Sequence, residues 1–413
     1  CEYGVELAGV DAWANNVTNF FTKEIKLTAT GADTAEWKKT YTDMLGRAWK
    51  TVYPDTPSNA IESSSYNNKG QLERRVDPDG VTMLYQYNAQ GELDTTAVDV
   101  DRDGVIDLDG TDRVTRTERD VLDDNGTHVR RTRTYVRNDQ GDELLVSTVK
   151  SATTSQQTWS ESHGLETHNQ ITISGNTRTV TVTAPDDSTT TSQYQDGRLV
   201  SVTRKDANTQ QIARTDYEYD PHGRLWKVTD ARTGTTTYTY NNADQVVTVT
   251  TPAPDESSAA QVTTTFYNNM GRVWRMVQPD TTTVTNEYHL TGLLRKTYGT
   301  RTYPVEYTYD AQGRMKTMKT WQNFTTGAGA AVTTWNYHAQ RGFLASKRYA
   351  DNKGPDYTYY PGGRLKDRQW ARGTPRLATT YTYNNAGDLW TVTYSDGTTP
   401  NVSYTYDSRG RRK

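Results

Sequence analysis

Cysteine is almost missing from this chain. Cys1 is alone among 413 residues, so no disulfide can form within it. Its first position fits either the processed end of a bacterial lipoprotein or, more simply, a fragment boundary. Phenylalanine is scarce too, with 5 against 28 tyrosines and 10 tryptophans. No run of about 20 apolar residues exists, which excludes a bilayer-spanning helix. Charge of one sign is also lacking. The net charge is −3 and 23% of residues are charged, so nothing resembles a basic nucleic-acid surface and no nucleic-acid partner is expected. The six histidines, His128, His163, His168, His222, His289 and His338, show no metal or catalytic spacing. No glycine-rich phosphate loop links a strand to a helix. Catalytic and cofactor-binding residues are therefore assigned to none, and the chain is not read as an enzyme. A glycoside-hydrolase carboxylate pair is the weakest reading left by the many acids. A mean hydropathy of −0.89 is low for a packed protein, but ordered aromatic spacing argues against disorder.

What the chain has is a repeat. Residues 217–230, Tyr217-Glu-Tyr219-Asp220-Pro-His-Gly223-Arg224-Leu225-Trp226-Lys-Val-Thr-Asp230, read as a short aromatic strand, a turn and a second strand. The turn recurs as Asp43 to Gly46, Asn67 to Gly70, Asn88 to Gly91, Asn268 to Gly271, Asp310 to Gly313, Asn384 to Gly387 and Asp407 to Gly410. Spacings of 21 residues separate Gly70 from Gly91, Gly271 from Gly292 and Gly292 from Gly313. A fixed period with loop-sized insertions marks repeat architecture. Asp or Asn opening the turn suits bonding to backbone N–H groups two residues on. Glycine suits the positive-φ position, and Asp244, standing where glycine is expected, is the test case. Arg47, Arg224, Arg272, Arg314 and Arg411 follow their glycines directly and are expected to reach the next repeat. Tyrosines two apart, such as Tyr217/Tyr219 and Tyr238/Tyr240, share a face and suit cross-strand ladders. Trp49, Trp226, Trp274 and Trp390 follow at three residues after the glycine and are expected to form an equivalent row. A second turn type, richer in Pro, Asp and Gly, closes the other end of each hairpin, as at Asp77-Pro-Asp-Gly80.

The predicted class is all-β: tandem β-hairpins in a long antiparallel ribbon. Along the chain, residues 1–38 read as an N-terminal segment or cap, with Val17 to Phe21 and Lys23 to Leu27 forming an initial strand or cap. Residues 39–94 and 191–413 carry the regular repeats, and 95–190 carry irregular ones with an acidic insertion at 99–112. The chain stops just past Gly410, which suggests part of a longer polypeptide. About 28 strands at roughly 4.8 Å would make a sheet about 130 Å wide. Open twisted sheets rarely exceed about ten strands without curling, so a spiral around a hollow is expected. A β-propeller is the alternative, since two periods would supply one blade of about 40–50 residues.

The Tyr-Asp-x-x-Gly-Arg units, over roughly residues 40–413, resemble the YD repeats of the RHS family. The resemblance implies a β-cocoon, a ribbon spiralling into a hollow shell. In bacterial polymorphic toxins and toxin complexes such shells surround a C-terminal toxin domain. In animal teneurins a related shell belongs to a cell-surface adhesion protein. The implied function is a non-catalytic shell segment of a secreted or bacterial cell-surface protein that encloses or presents a cargo or toxin domain in cis. The alternative is an adhesion module for a cell-surface protein or glycan. The self-cleaving aspartate segment that usually closes toxin-type shells has no counterpart here.

One local site stands apart from the repeat. Asp99, Asp101, Asp103, Asp107, Asp109 and Asp112, with Gly104 and the Val105 carbonyl, alternate as hard-cation loops do. The loop looks like the calcium loops of dockerin or thrombospondin-type repeats. It differs at the twelfth position, where Gly110 replaces a bidentate glutamate. Ca2+ is the expected ligand, and a solvated acidic insertion is the alternative.

Overall fold

The computed structural model describes residues 1–10 and 16–413. Residues 11–15, inside the stretch expected as a cap, lie outside the described residues, as do the side chains of 7–19. The described chain is all strand and turn, with no helix. Its 33 strands form one antiparallel sheet that is not closed into a barrel. Where the register is resolved, each strand pairs with the next in sequence, as Gln211–Tyr219 does with Leu225–Asp230, and Leu225–Asp230 with Gly234–Tyr240. A propeller needs separate four-stranded blades, so the continuous sheet excludes that alternative. The strand number exceeds the sequence estimate because the irregular stretch holds its own long hairpins, among them Arg113–Asp124, Thr127–Arg137 and Leu165–Ser174. Several close on tighter turns than the four-residue signature, such as Asn125-Gly126 at φ 53 and 81.

The N-terminal stretch is also sheet. Strand Glu2–Val10 pairs with Asn16–Leu27, which pairs with Asp33–Thr42. Val17 to Phe21 and Lys23 to Leu27, expected as an initial strand or cap, lie in the one strand Asn16–Leu27.

The chain divides into two compact units. The first comprises Cys1–Thr117, Tyr135–Leu144 and Glu306–Lys413, and the second Glu118–Thr134 and Leu145–Val305. The core of the first unit is small. Tyr41 and Val52 pack with Phe21, Trp37 and Trp49, and Leu84, Ala97 and Val114 pack with Ile106. In the second unit threonine hydroxyls meet across strands, Thr229 with Thr235 at 3.1 Å and Thr239 with Thr248 at 2.6 Å. Trp159 stacks on His168 with centroids 4.8 Å apart. Such cross-strand pairs stabilise a sheet by about 0.2–1 kcal/mol each.

Candidate functional site

The repeated turn is the unit from which every larger feature is built. At its type member the Asp220 Oδ1 accepts the backbone N–H groups of His222 and Arg224, both at 2.9 Å. The Arg224 Nε returns to Asp220 Oδ2 at 2.7 Å. Gly223 takes φ 82, where a Cβ would cost an ordinary residue about 1–2 kcal/mol. Asp43, Asp310 and Asp407 repeat this bonding with Arg47, Arg314 and Arg411. Asn67, Asn88, Asn268 and Asn384 keep the bonds to the backbone N–H groups. Gly46, Gly70, Gly91, Gly271, Gly313, Gly387 and Gly410 all have positive φ, and Asp244 follows them at φ 57. For Asp220, lost solvation opposes the charge, but the hydrogen bonds from Arg224 and the backbone outweigh it and hold the carboxyl below the usual range.

Where the turn opens on aspartate, the arginine bonds that aspartate as well as reaching the next repeat. Its reach onward is to a ring face. Arg47 lies over Tyr66, Arg224 over Tyr240 and Arg314 over Tyr337, each at 4.6 Å. Arg224 also bonds Asp244 of the following turn at 2.7 Å.

Two devices were not visible in the sequence. The first concerns the turn tyrosines, whose hydroxyls donate back to a carbonyl of the preceding hairpin: Tyr219 to Leu199 at 2.8 Å, Tyr288 to Val273 at 2.7 Å and Tyr383 to Leu365 at 3.0 Å. A signal did exist, since several of these pairs lie 15 residues apart. The second explains the tryptophans. Glu218 pairs with Lys227 while Tyr219 pairs with Leu225, so Trp226 is the extra residue of a β-bulge. Trp49, Trp274 and Trp390 occupy the same bulge position. A bulged residue leaves the ladder and projects, and Trp226, Trp274 and Trp390 are indeed exposed.

In the first unit the ribbon meets itself along a seam between turns 269 to 287 residues apart. Arg314, after bonding Asp310, reaches Glu36 at 2.9 Å. Arg364 bonds Asp77 at 2.8 Å and Asp79 at 2.5 Å, and the Gly362 N–H donates to Asp79 at 2.6 Å. Arg113 pairs with Asp388 at 2.5 Å, and Ser408 donates to the Asp139 carboxylate and the Arg137 carbonyl. Burial opposes the charge of Asp388, yet the hydrogen bonds from Arg113 and Asn384 hold its carboxyl below the usual range. Arg341 is desolvated enough to lower its pKa, with Asp55 at 3.9 Å.

The 99–112 loop sits beside this seam. Asp99, Asp101 and Asp103 each bring a carboxylate oxygen to within 4.8 Å of the others. Asp99 is fully buried while Asp101 and Asp103 are exposed. The Asp99 Oδ2 accepts the Gly104 N–H at 3.2 Å, and Oδ1 has no hydrogen-bond partner. Asp112, also fully buried, braces the loop by accepting the N–H groups of Val100 at 2.8 Å and Asp107 at 3.1 Å. Lost solvation, with the charges of Asp99 and Asp101, pushes the Asp112 carboxyl up. Lost solvation and the charges of Asp103, Asp101, Asp109 and Asp112 do the same to Asp107. Asp109 turns to Thr111, and the exposed Val105 donates its N–H to Asp103 at 2.7 Å. The histidines of the repeats sit in different hairpins, with His222 exposed at its turn.

Hairpins of this kind, chained by tyrosine hydroxyls and closed by Asp-Arg turns, define a YD-repeat ribbon. Residues 162–327 match the teneurin YD-shell family model. Two solved assemblies share the fold. The crystal structure of TcdB2-TccC3-TEV is 13% identical, with 98% of this chain and 26% of that one covered at a TM-score of 0.51. A pore structure of the Photorhabdus luminescens Tc holotoxin is 16% identical, with 92% and 20% covered at a TM-score of 0.50. At these identities the likeness is one of fold, and the chain spans about a quarter or less of those chains. No curated protein matches it. The chain thus resembles the YD-repeat proteins, through the family match over residues 162–327 and through its fold elsewhere.

Proposed function

We propose that the chain is a wall segment of a secreted RHS-type shell that encloses or presents a toxin or other cargo domain carried on the same polypeptide. The carrying observation is the single antiparallel sheet whose turns lock onto one another along the seam. A wall needs two properties that this geometry supplies. The ribbon must be continuous, so that no open strand edge interrupts it, and successive passes must be fastened, so that the wall does not unroll. Hairpin-to-hairpin pairing gives the first and the arginine–carboxylate seam the second. The work of such a wall is exclusion, which needs no reactive side chain.

The test uses the full polypeptide that carries this segment. A domain in cis should resist a protease concentration that digests the same domain expressed alone. Equal digestion of both would overturn the container reading. A second reading, adhesion, is favoured by the exposed Trp226 and Trp274, which hold the same bulge position in their hairpins, since exposed aromatics suit sugar faces. Binding of this chain to immobilised glycans, lost in Trp226→Ala/Trp274→Ala, would support that reading instead.

A further inference from the structure

We propose that the 99–112 loop is a Ca2+ site, with Asp99, Asp101 and Asp103 as its carboxylate ligands, and that the ion fastens the seam of the first unit. Three observations converge on it. The gathered oxygens lie within 4.8 Å of one another, so a central ion is at most about 2.8 Å from each, and a small closure of the side chains brings all three to Ca–O bonds of roughly 2.4 Å. Asp99 is fully buried, and its Oδ1 faces no donor of the protein. A buried carboxylate oxygen in a folded protein is normally satisfied, and a cation is the partner that this arrangement omits. Among the described residues, no lysine or arginine forms an ion pair with Asp99, Asp101 or Asp103. All the donors are hard oxygens, which suits Ca2+ and disfavours softer metals. Mg2+ prefers shorter bonds of about 2.0–2.1 Å in a strict octahedron.

The remaining groups needed for six to eight oxygens are at hand. The Asp107 carboxylate lies in the field of Asp101 and Asp103. Val105 is anchored through its N–H to Asp103, which leaves its carbonyl as the backbone ligand. Asp112 acts from behind as a brace on Val100 and Asp107, not as a member of the three-oxygen group.

The loop is coupled to the seam through its first residues. Arg102 donates to the Asp79 carbonyl at 3.4 Å, and Asp79 is the residue that Arg364 and Gly362 bond. The Val100 carbonyl accepts from Asn385 at 2.9 Å. Ile106 packs on Leu84, Ala97 and Val114. Neutralising the three carboxylates holds the loop in the shape that presents Arg102 and the Val100 carbonyl to the returning hairpins.

The test uses the 413-residue chain, cleared with EDTA and titrated with CaCl2 by calorimetry and thermal melting. One ion should bind per chain with a dissociation constant between about 10⁻⁶ and 10⁻³ M, and the melting temperature should rise. In Asp101→Asn/Asp103→Asn, affinity should fall at least about tenfold because ligand charge sets it. The melting temperature of that variant in EDTA should not fall, since two repelling charges are gone. Loss of stability in EDTA without a change in calcium affinity would mean that the two residues act only on the fold, and would overturn the proposal. So would the absence of binding heat at millimolar CaCl2, or an equal shift with MgCl2 at the same concentration.

Discussion

Asp79→Ala tests the seam directly. Asp79 lies in the turn Asp77-Pro-Asp-Gly80, and its carboxylate accepts from Arg364 Nη1 at 2.5 Å and from the Gly362 N–H at 2.6 Å. The carboxylate side chain is 12% exposed and the guanidinium 24%. Hydrogen bonds to charged groups contribute about 1.5–3 kcal/mol each. Water still reaches part of the arginine and screens the pair, and Asp77 remains as its other partner. The net loss is therefore about 2 kcal/mol, or roughly a 30-fold rise in local opening. Hydrogen exchange reads this out. Protection at Gly362 and Gly363 should fall roughly 30-fold, although the substitution lies 283 residues away in sequence. The Gly223 turn, in the other unit, should keep its rate. Asp79→Asn keeps an acceptor for Gly362 and loses the charge, so it should fall in between. Unchanged exchange at 362–363 in Asp79→Ala would refute the idea that these contacts hold the two passes together.

Three further outcomes are expected. Gly223→Ala should destabilise its hairpin by about 2 kcal/mol, from positive φ and a Cβ placed 2.3 Å from Arg198 Nη2, whereas Asp244→Gly, at φ 57, should be nearly neutral in a urea titration. Tyr288→Phe removes the bond to the Val273 carbonyl and should cost about 1 kcal/mol, read as roughly five-fold faster exchange across the hairpin at 273–288. Acid should loosen the seam at Arg113–Asp388: a folded pKa below the unfolded one stabilises above about pH 4 and loses that contribution as pH falls through the lowered value. Melting between pH 5 and pH 3 should therefore drop more steeply in the native chain than in Asp388→Asn.

What was legible in the sequence was short in range. Asp220, Gly223 and Arg224 sit within five positions, and turn chemistry of that kind depends on neighbours alone. Alternating Thr, Val and Tyr gave the strands for the same reason. The acidic loop was readable as a spacing, but the burial of Asp99 and its unpartnered Oδ1 were not, because they depend on how Ile106 and Asp112 fold back. The arginines were expected to reach the next repeat, and Arg224 does so at Asp244, but the bond to their own aspartate four residues back was not foreseen. The tryptophan row was visible as a spacing, while the bulge that explains it needed the register of two strands. The seam was invisible, because nothing local marks Glu36 or Asp79 as partners of Arg314 and Arg364.

The back-reaching tyrosines have an evolutionary consequence. Where the tyrosine and the arginine are both present, a hairpin leans on the one before it through one hydroxyl and one guanidinium, so its dependence is on a neighbour of the same kind and not on a particular address in the chain. Away from the fastened turns, loss or duplication of a whole hairpin pair would present an identical joint to the next one. Half a pair would put every following side chain on the wrong face. A gene for such a chain is free to lengthen or shorten in whole steps, and is held to those steps by the period-two geometry of its backbone.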